Sequence, residues 1–119
     1  MNWYLTKMVF RIICGDGNHT AQFDEQLRLI TAGSKEEAFH KAQVLGGREE
    51  EMFFNNNQQL VQWQFISVSE LYQLNDLADR AEVYSRIEEQ ENADCYLHII
   101  HKKAEQIRFS NTLELLNLA

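Results

Sequence analysis

The chain has no proline, and only two cysteines and five glycines in 119 residues. Without proline, helices and strands can run without forced breaks. Two thiols, Cys14 and Cys95, are too few for a disulfide scaffold, so reduced thiols in a cytoplasmic protein are expected. The opening Met1-Asn2-Trp3-Tyr4 lacks the basic start and small-residue cleavage site of an export signal, which supports the same expectation. No window approaches the roughly 18 apolar residues of a membrane span, so no membrane is expected as a partner. Basic residues are also scarce: 11 Lys and Arg stand against 18 Asp and Glu, a net charge of −7. Phosphates need a Lys/Arg surface, so nucleic acid is not expected either. The excess sits in the middle of the chain, where residues 49–94 hold eleven acidic and two basic residues. Solubility accounts for a charge of this size. The sharper reading is an acidic face for a basic protein partner.

What is present suits one soluble globular domain over residues 1–119, with 45% hydrophobic and 24% charged residues. The densest strand signal is Leu60 to Leu71. Val61, Trp63 and Phe65 point one way and Gln62 and Gln64 the other. After Phe65 the phase flips, with Ile66 and Val68 apolar and Ser67 and Ser69 polar. One extra residue does this, so a bulge near Phe65–Ile66, or a strand that crosses from one packing environment to another, is expected.

A first strand is expected over Trp3–Ile13, with Trp3, Leu5, Val9 and Ile13 on one face and Tyr4, Met8, Phe10 and Ile12 on the other. Lys7 and Arg11 interrupt the first of these faces, which marks it as only partly covered. Cys14-Gly15-Asp16-Gly17-Asn18-His19 reads as a hairpin turn, because these residues tolerate positive φ. Ala21–Ala32 follows as a second strand, where Phe23, Leu27 and Leu29 alternate with Asp24, Gln26 and Arg28 around one wet face. Ser34-Lys35-Glu36-Glu37 is a capping box. It opens a helix to Leu45, with Ala38, Ala42 and Leu45 as its core stripe and Gly46-Gly47 as a left-handed cap.

Residues 48–59 read as a loop, with Phe53 and Phe54 plugging the core beneath it and Asn55-Asn56-Asn57 as a turn. Leu74–Asp79 reads as a helical turn or tight loop. Glu82–Glu88 reads as a short fourth strand with a thin apolar face. Asn92 or Asp94 caps a second helix ending near Arg108, with Leu97, Ile100, Ala104 and Ile107 on one stripe. The Leu-rich stretch from Thr112 to Ala119 is too apolar to dangle and is expected to dock on its own domain or on another chain. The order ββ-α-ββ-α implies an α+β, two-layer domain: a four-stranded, mainly antiparallel sheet with helices packed on one face.

Chemistry is thinly signalled. His98 and His101 on a helix, with Cys95 before them, drift around the axis by about 60° per step, so they do not converge on one ion. No metal and no cofactor are expected. Glu82, Tyr84 and Arg86 alternate along one side of the fourth strand and are the candidate binding residues, as an acid, a phenol and a guanidinium. A solvated face of mixed charge is the plainer reading of the same pattern. Cys14 lacks a cationic neighbour to activate it, Ser67 and Ser69 lack a nucleophile elbow, and no catalytic residue is assigned.

Several of these stretches together resemble a bacterial family described as domain of unknown function 4288. They are Trp3-Tyr4, Phe23 to Leu29, Glu37-Ala38 with Lys41-Ala42 and Leu45-Gly46, Trp63 to Tyr72, and Glu82 to Ile87. The resemblance covers roughly residues 3–90. It implies a bacterial, cytoplasmic, stand-alone domain and supplies no catalytic residue. Where that family has a glycine-led turn before Glu-Val-Tyr, this chain has Arg80-Ala81.

The functional expectation is a small non-enzymatic interaction or regulatory domain, self-associating as a homodimer. The alternative is a ligand-binding domain or small enzyme with a pocket between sheet and helices near Glu82, Tyr84 and Arg86.

Overall fold

The computed structural model describes the backbone of residues 1–118 and the side chains of residues 1–110. The chain forms two compact units, Met1–Ser85 and Arg86–Ala119.

The first unit holds β1 (Asn2–Cys14), β2 (Gln22–Ala32), α1 (Lys35–Arg48), β3 (Glu51–Phe54) and β4 (Leu60–Leu74). With the helix α2 (Ala93–Leu118) of the second unit, the order is β-β-α-β-β-α, the α+β architecture that the sequence pattern implies. The strands form one antiparallel sheet in the order β2-β1-β4-β3. β1 and β2 close a hairpin through Gly15 and Gly17, both at positive φ (59° and 81°).

Pairing of β1 with β4 slips twice. Phe10 faces Phe65 while Val9 faces Ser67, and Met8 faces Val68 while Lys7 faces Glu70. Ile66 and Ser69 are therefore the extra residues of two bulges. The first is the expected phase change. The second lets Phe65, Val68 and Leu71 all reach the core at a spacing of three, where an unbroken strand would need two. The Phe65 amide at the first bulge donates to Glu50 Oε2 at 3.1 Å.

α1 packs across β1, β2 and β4. Tyr4, Met8, Phe10, Ile30, Ala32, Ala38, Ala42 and Val68 form the core, with Leu45, Trp63, Phe65 and Leu71 against it. Ala38 and Ala42 bring the helix close because they carry only a methyl group. Ser34 Oγ caps α1 by accepting from the Glu37 amide at 3.1 Å, and Glu37 reaches back to the Gly33 amide at 3.1 Å.

The structure corrects several expectations. Gly46-Gly47 does not end α1; the helix continues to Arg48, and the cap is Glu49, whose amide donates to the Leu45 and Gly46 carbonyls. Gly46 instead serves packing: a Cβ there would lie 2.3 Å from the Phe65 ring. Residues 51–54 are a strand rather than a loop, and Phe53 and Phe54 on it are exposed rather than core plugs. Residues 82–88 form no strand. β4, the strand they follow, offers them no edge, because β1 and β3 already flank it. On β2 the apolar set Phe23, Leu27 and Leu29 is exposed, since α1 covers the opposite face, where Ile30 and Ala32 lie.

In the second unit, Asn92 caps α2 by accepting from the Cys95 amide at 3.0 Å. The helix runs past Arg108 to Leu118. The side chains of Leu113, Leu115, Leu116 and Leu118 lie outside the described residues. Among the described residues, no helix is long and apolar enough to cross a membrane.

Candidate functional site

β4 ends at Leu74, and the chain turns back over residues 75–85. Ala81 N–H donates to the Ala78 carbonyl at 3.1 Å, and Arg80 takes φ 71°. So the position where the resembled family places its glycine-led turn has left-handed backbone here with an arginine on it. The return brings Tyr84 edge-on to Tyr72, with ring centroids 5.4 Å apart and planes at 67°. Between the strand end and the returning segment lies a cavity of about 420 Å³ lined by Tyr72, Leu74, Asp76, Glu82, Val83 and Tyr84 among others.

Two of the three candidate residues, Glu82 and Tyr84, thus meet at one cavity, at the end of β4 rather than along a strand of their own. Arg86 lies in the second unit and pairs there with Glu88.

Sequence reading missed the polar network beside this cavity. The Tyr72 hydroxyl donates to Glu70 Oε1 at 2.6 Å. Losing the proton would set phenolate against carboxylate, and this hydrogen bond to Glu70 holds the Tyr72 phenol up at about 12. Lys7 Nζ lies 3.2 Å from Glu70 and 3.3 Å from Glu25, and both carboxylates raise its pKa, Glu70 foremost. The available signal was register: Lys7 pairs with Glu70 across β1 and β4, and Glu70 and Tyr72 share a face by alternation.

That face is the one turned away from α1. It carries Trp3, Leu5, Lys7, Val9 and Arg11 from β1 and Phe23, Glu25, Leu27 and Leu29 from β2, as the register sets; Leu5 on it is buried, beside the Tyr72 that Tyr84 packs against. The Arg11 guanidinium lies over the Phe23 ring at 5.8 Å. Leu27 is 63% exposed, Phe23 55%, Leu29 51% and Trp3 42%. Scattered apolar side chains are ordinary on a surface, but Leu27, Leu29 and Trp3 adjoin across β2 and β1 as a patch, with Phe23 beyond Glu25 on the same face.

Chemically, this arrangement can bury apolar surface and take hydrogen bonds. Among the described residues, no three His, Cys, Asp or Glu side chains gather as a metal ion would need. Cys14 and Cys95 are free thiols. The acidic run 49–51 is partly used by the fold: Glu49 makes two bonds to Arg28, at 2.7 and 2.9 Å, which draw the Glu49 carboxyl below its usual range.

Comparison with curated proteins gives no match, and comparison with solved structures gives none. A family model, domain of unknown function (DUF4288), matches residues 3–85, a span that coincides with the first compact unit. The chain belongs to this family of domains of unknown function.

Proposed function

We propose that this protein is a non-enzymatic interaction domain whose binding surface is the sheet face turned away from α1. The observation that carries the proposal is the exposed patch of Trp3, Leu27 and Leu29, with Phe23 beyond Glu25, on the side of the sheet away from α1. Exposing such a patch raises the free energy of the isolated domain and is recovered when a partner covers it. Arg11 on Phe23 adds the aromatic and arginine character common in interface centres. Free Cys14 and Cys95 suit a reducing, cytoplasmic setting. The acid excess of the middle stretch supplies solubility and leaves charge for a basic protein elsewhere on the surface.

The test is capture from the host's extract by a tagged full chain, beside its Leu27→Glu variant, at low and high salt. The expected result is a captured protein (another copy of the chain included) that survives high salt and is lost with the variant. A wild-type chain that captures nothing at either salt contradicts the proposal.

A second reading rests on the cavity of about 420 Å³ with Glu82 and Tyr84 on its wall. Its size suits a small molecule. A compound that raises the melting temperature of the wild-type chain, and fails to do so after Tyr84→Ala, supports it. Equal shifts in both chains count against it.

A further inference from the structure

We infer that the occupant of this face is a second copy of the chain, placed face to face about a two-fold axis. The inference rests on the interaction reading above and names its partner.

Charge selects the partner. The chain carries −7, so two copies repel unless they meet where the charge is balanced. The face holds Lys7 and Arg11 against Glu25 and Glu70, and Lys7 bridges both carboxylates. Its formal charge is therefore zero, in a chain that is acidic overall. A basic partner would favour the acidic surface elsewhere; a neutral apolar face is what a second acidic copy can approach.

Area is at the threshold. Strands about 4.8 Å apart that rise about 3.3 Å per residue give β2, β1 and β4, over the eleven paired residues of β1 and β2, a face of at most about 500 Å², with Tyr84 already on Tyr72 at one end. Two such faces bury at most about 1,000 Å², the size of a weak, concentration-dependent dimer. Pairing through the free edge of β2 is the less favourable route. β2 carries Asp24, Glu25 and Arg28, and charged edge strands resist edge-to-edge pairing.

The test is sedimentation velocity of the purified full chain over a dilution series, with Leu27→Glu, Leu27→Lys and, as a control on α1, Lys35→Glu. Circular dichroism checks that each chain is folded; Leu27 is 63% exposed, so neither change burdens the core. The expected result is a wild-type dimer that weakens at least about tenfold with either charge at position 27 and is unchanged by Lys35→Glu. Loss with either sign marks apolar self-association, whereas loss with Leu27→Lys alone marks a need for negative charge and overturns the inference. A wild-type chain that stays monomeric throughout overturns it too, as does a dimer indifferent to both Leu27 variants. Failure of this kind beside face-dependent capture of a different protein from extract leaves the interaction reading standing without self-association.

Discussion

Two adjacent glycines near the end of α1 should respond to alanine with opposite signs. A Cβ on Gly46 would lie 2.3, 2.4 and 2.5 Å from three Phe65 ring atoms, whereas a Cβ on Gly47 would meet nothing within 4 Å. Ordinary carbon contacts are about 3.5–4.0 Å, so the Phe65 ring would have to retreat by more than about 1 Å. It has little room, because it packs on the Phe10 ring with centroids 5.4 Å apart, and Phe10 is buried in the core. Overpacking of this kind costs about 1–3 kcal/mol, against a helix-propensity gain of about 0.9 kcal/mol for glycine to alanine. Gly46→Ala should therefore show a net loss of up to about 2 kcal/mol, while Gly47→Ala in the last turn should gain about 0.5 kcal/mol. Urea denaturation followed by far-ultraviolet circular dichroism gives both values. Adding Phe65→Leu to Gly46→Ala should restore part of the loss, with a coupling of at least about 1 kcal/mol. A Gly46→Ala chain as stable as the parent, or no coupling to Phe65, would refute this account of how α1 seats on the sheet.

Other outcomes follow from single features. Arg80 sits at φ 71°, so Arg80→Val should cost about 1–2 kcal/mol, because a β-branched residue tolerates left-handed backbone worst, and Arg80→Gly should cost nothing; paired urea melts decide this. In an ultraviolet titration of the tyrosines, the Tyr72 phenol should ionise at about 12, and Glu70→Gln should bring it down toward the ordinary value near 10. Because the folded-state value is the raised one, the associated stability is present below about pH 10 and fades as pH rises toward the folded value. Glu49 runs the other way: Arg28 depresses its carboxyl, so the pair contributes above about pH 4 and is lost as pH falls through the depressed folded value. Both partners remain partly exposed, so Glu49→Gln should cost only about 0.5–1 kcal/mol at neutral pH and should flatten the acid limb of a stability–pH profile.

The parts of this fold that were legible from sequence are those where periodicity has one solution. Trp3–Ile13, Ala21–Ala32 and Leu60–Leu71 alternate, and the phase change after Phe65 signalled a bulge or a change of packing environment, of which the bulge is present. The second bulge, at Ser69, was hidden because no neighbouring apolar pair marks it. Glu82–Glu88 alternates as well as a strand does, but a strand also needs a free edge, and β4, the strand it follows, has both edges taken. β3 failed in the opposite sense: four residues between an acidic and an asparagine run show no period, yet β4 offers them an edge. Alternation on β2 separated Phe23, Leu27 and Leu29 from Asp24, Gln26 and Arg28 without saying which set α1 would cover, and α1 covers the side of the polar set. Lys7 and Arg11 were the correct hint that the other face of β1 is incompletely covered. The Tyr72–Glu70–Lys7 network depends on the shifted register of β1 and β4, which no local pattern encodes.

The most direct measurement of the central claim is hydroxyl-radical footprinting of the unaltered full chain at the dilute and concentrated ends of a dilution series, read by mass spectrometry. Trp3 and Phe23 lie on the uncovered face, whereas Trp63 packs against the core on the α1 side. Oxidation of Trp3 and Phe23 should fall several-fold on concentration while Trp63 stays constant. Equal reactivity of Trp3 and Phe23 at both ends would contradict the assignment of that face to a second copy.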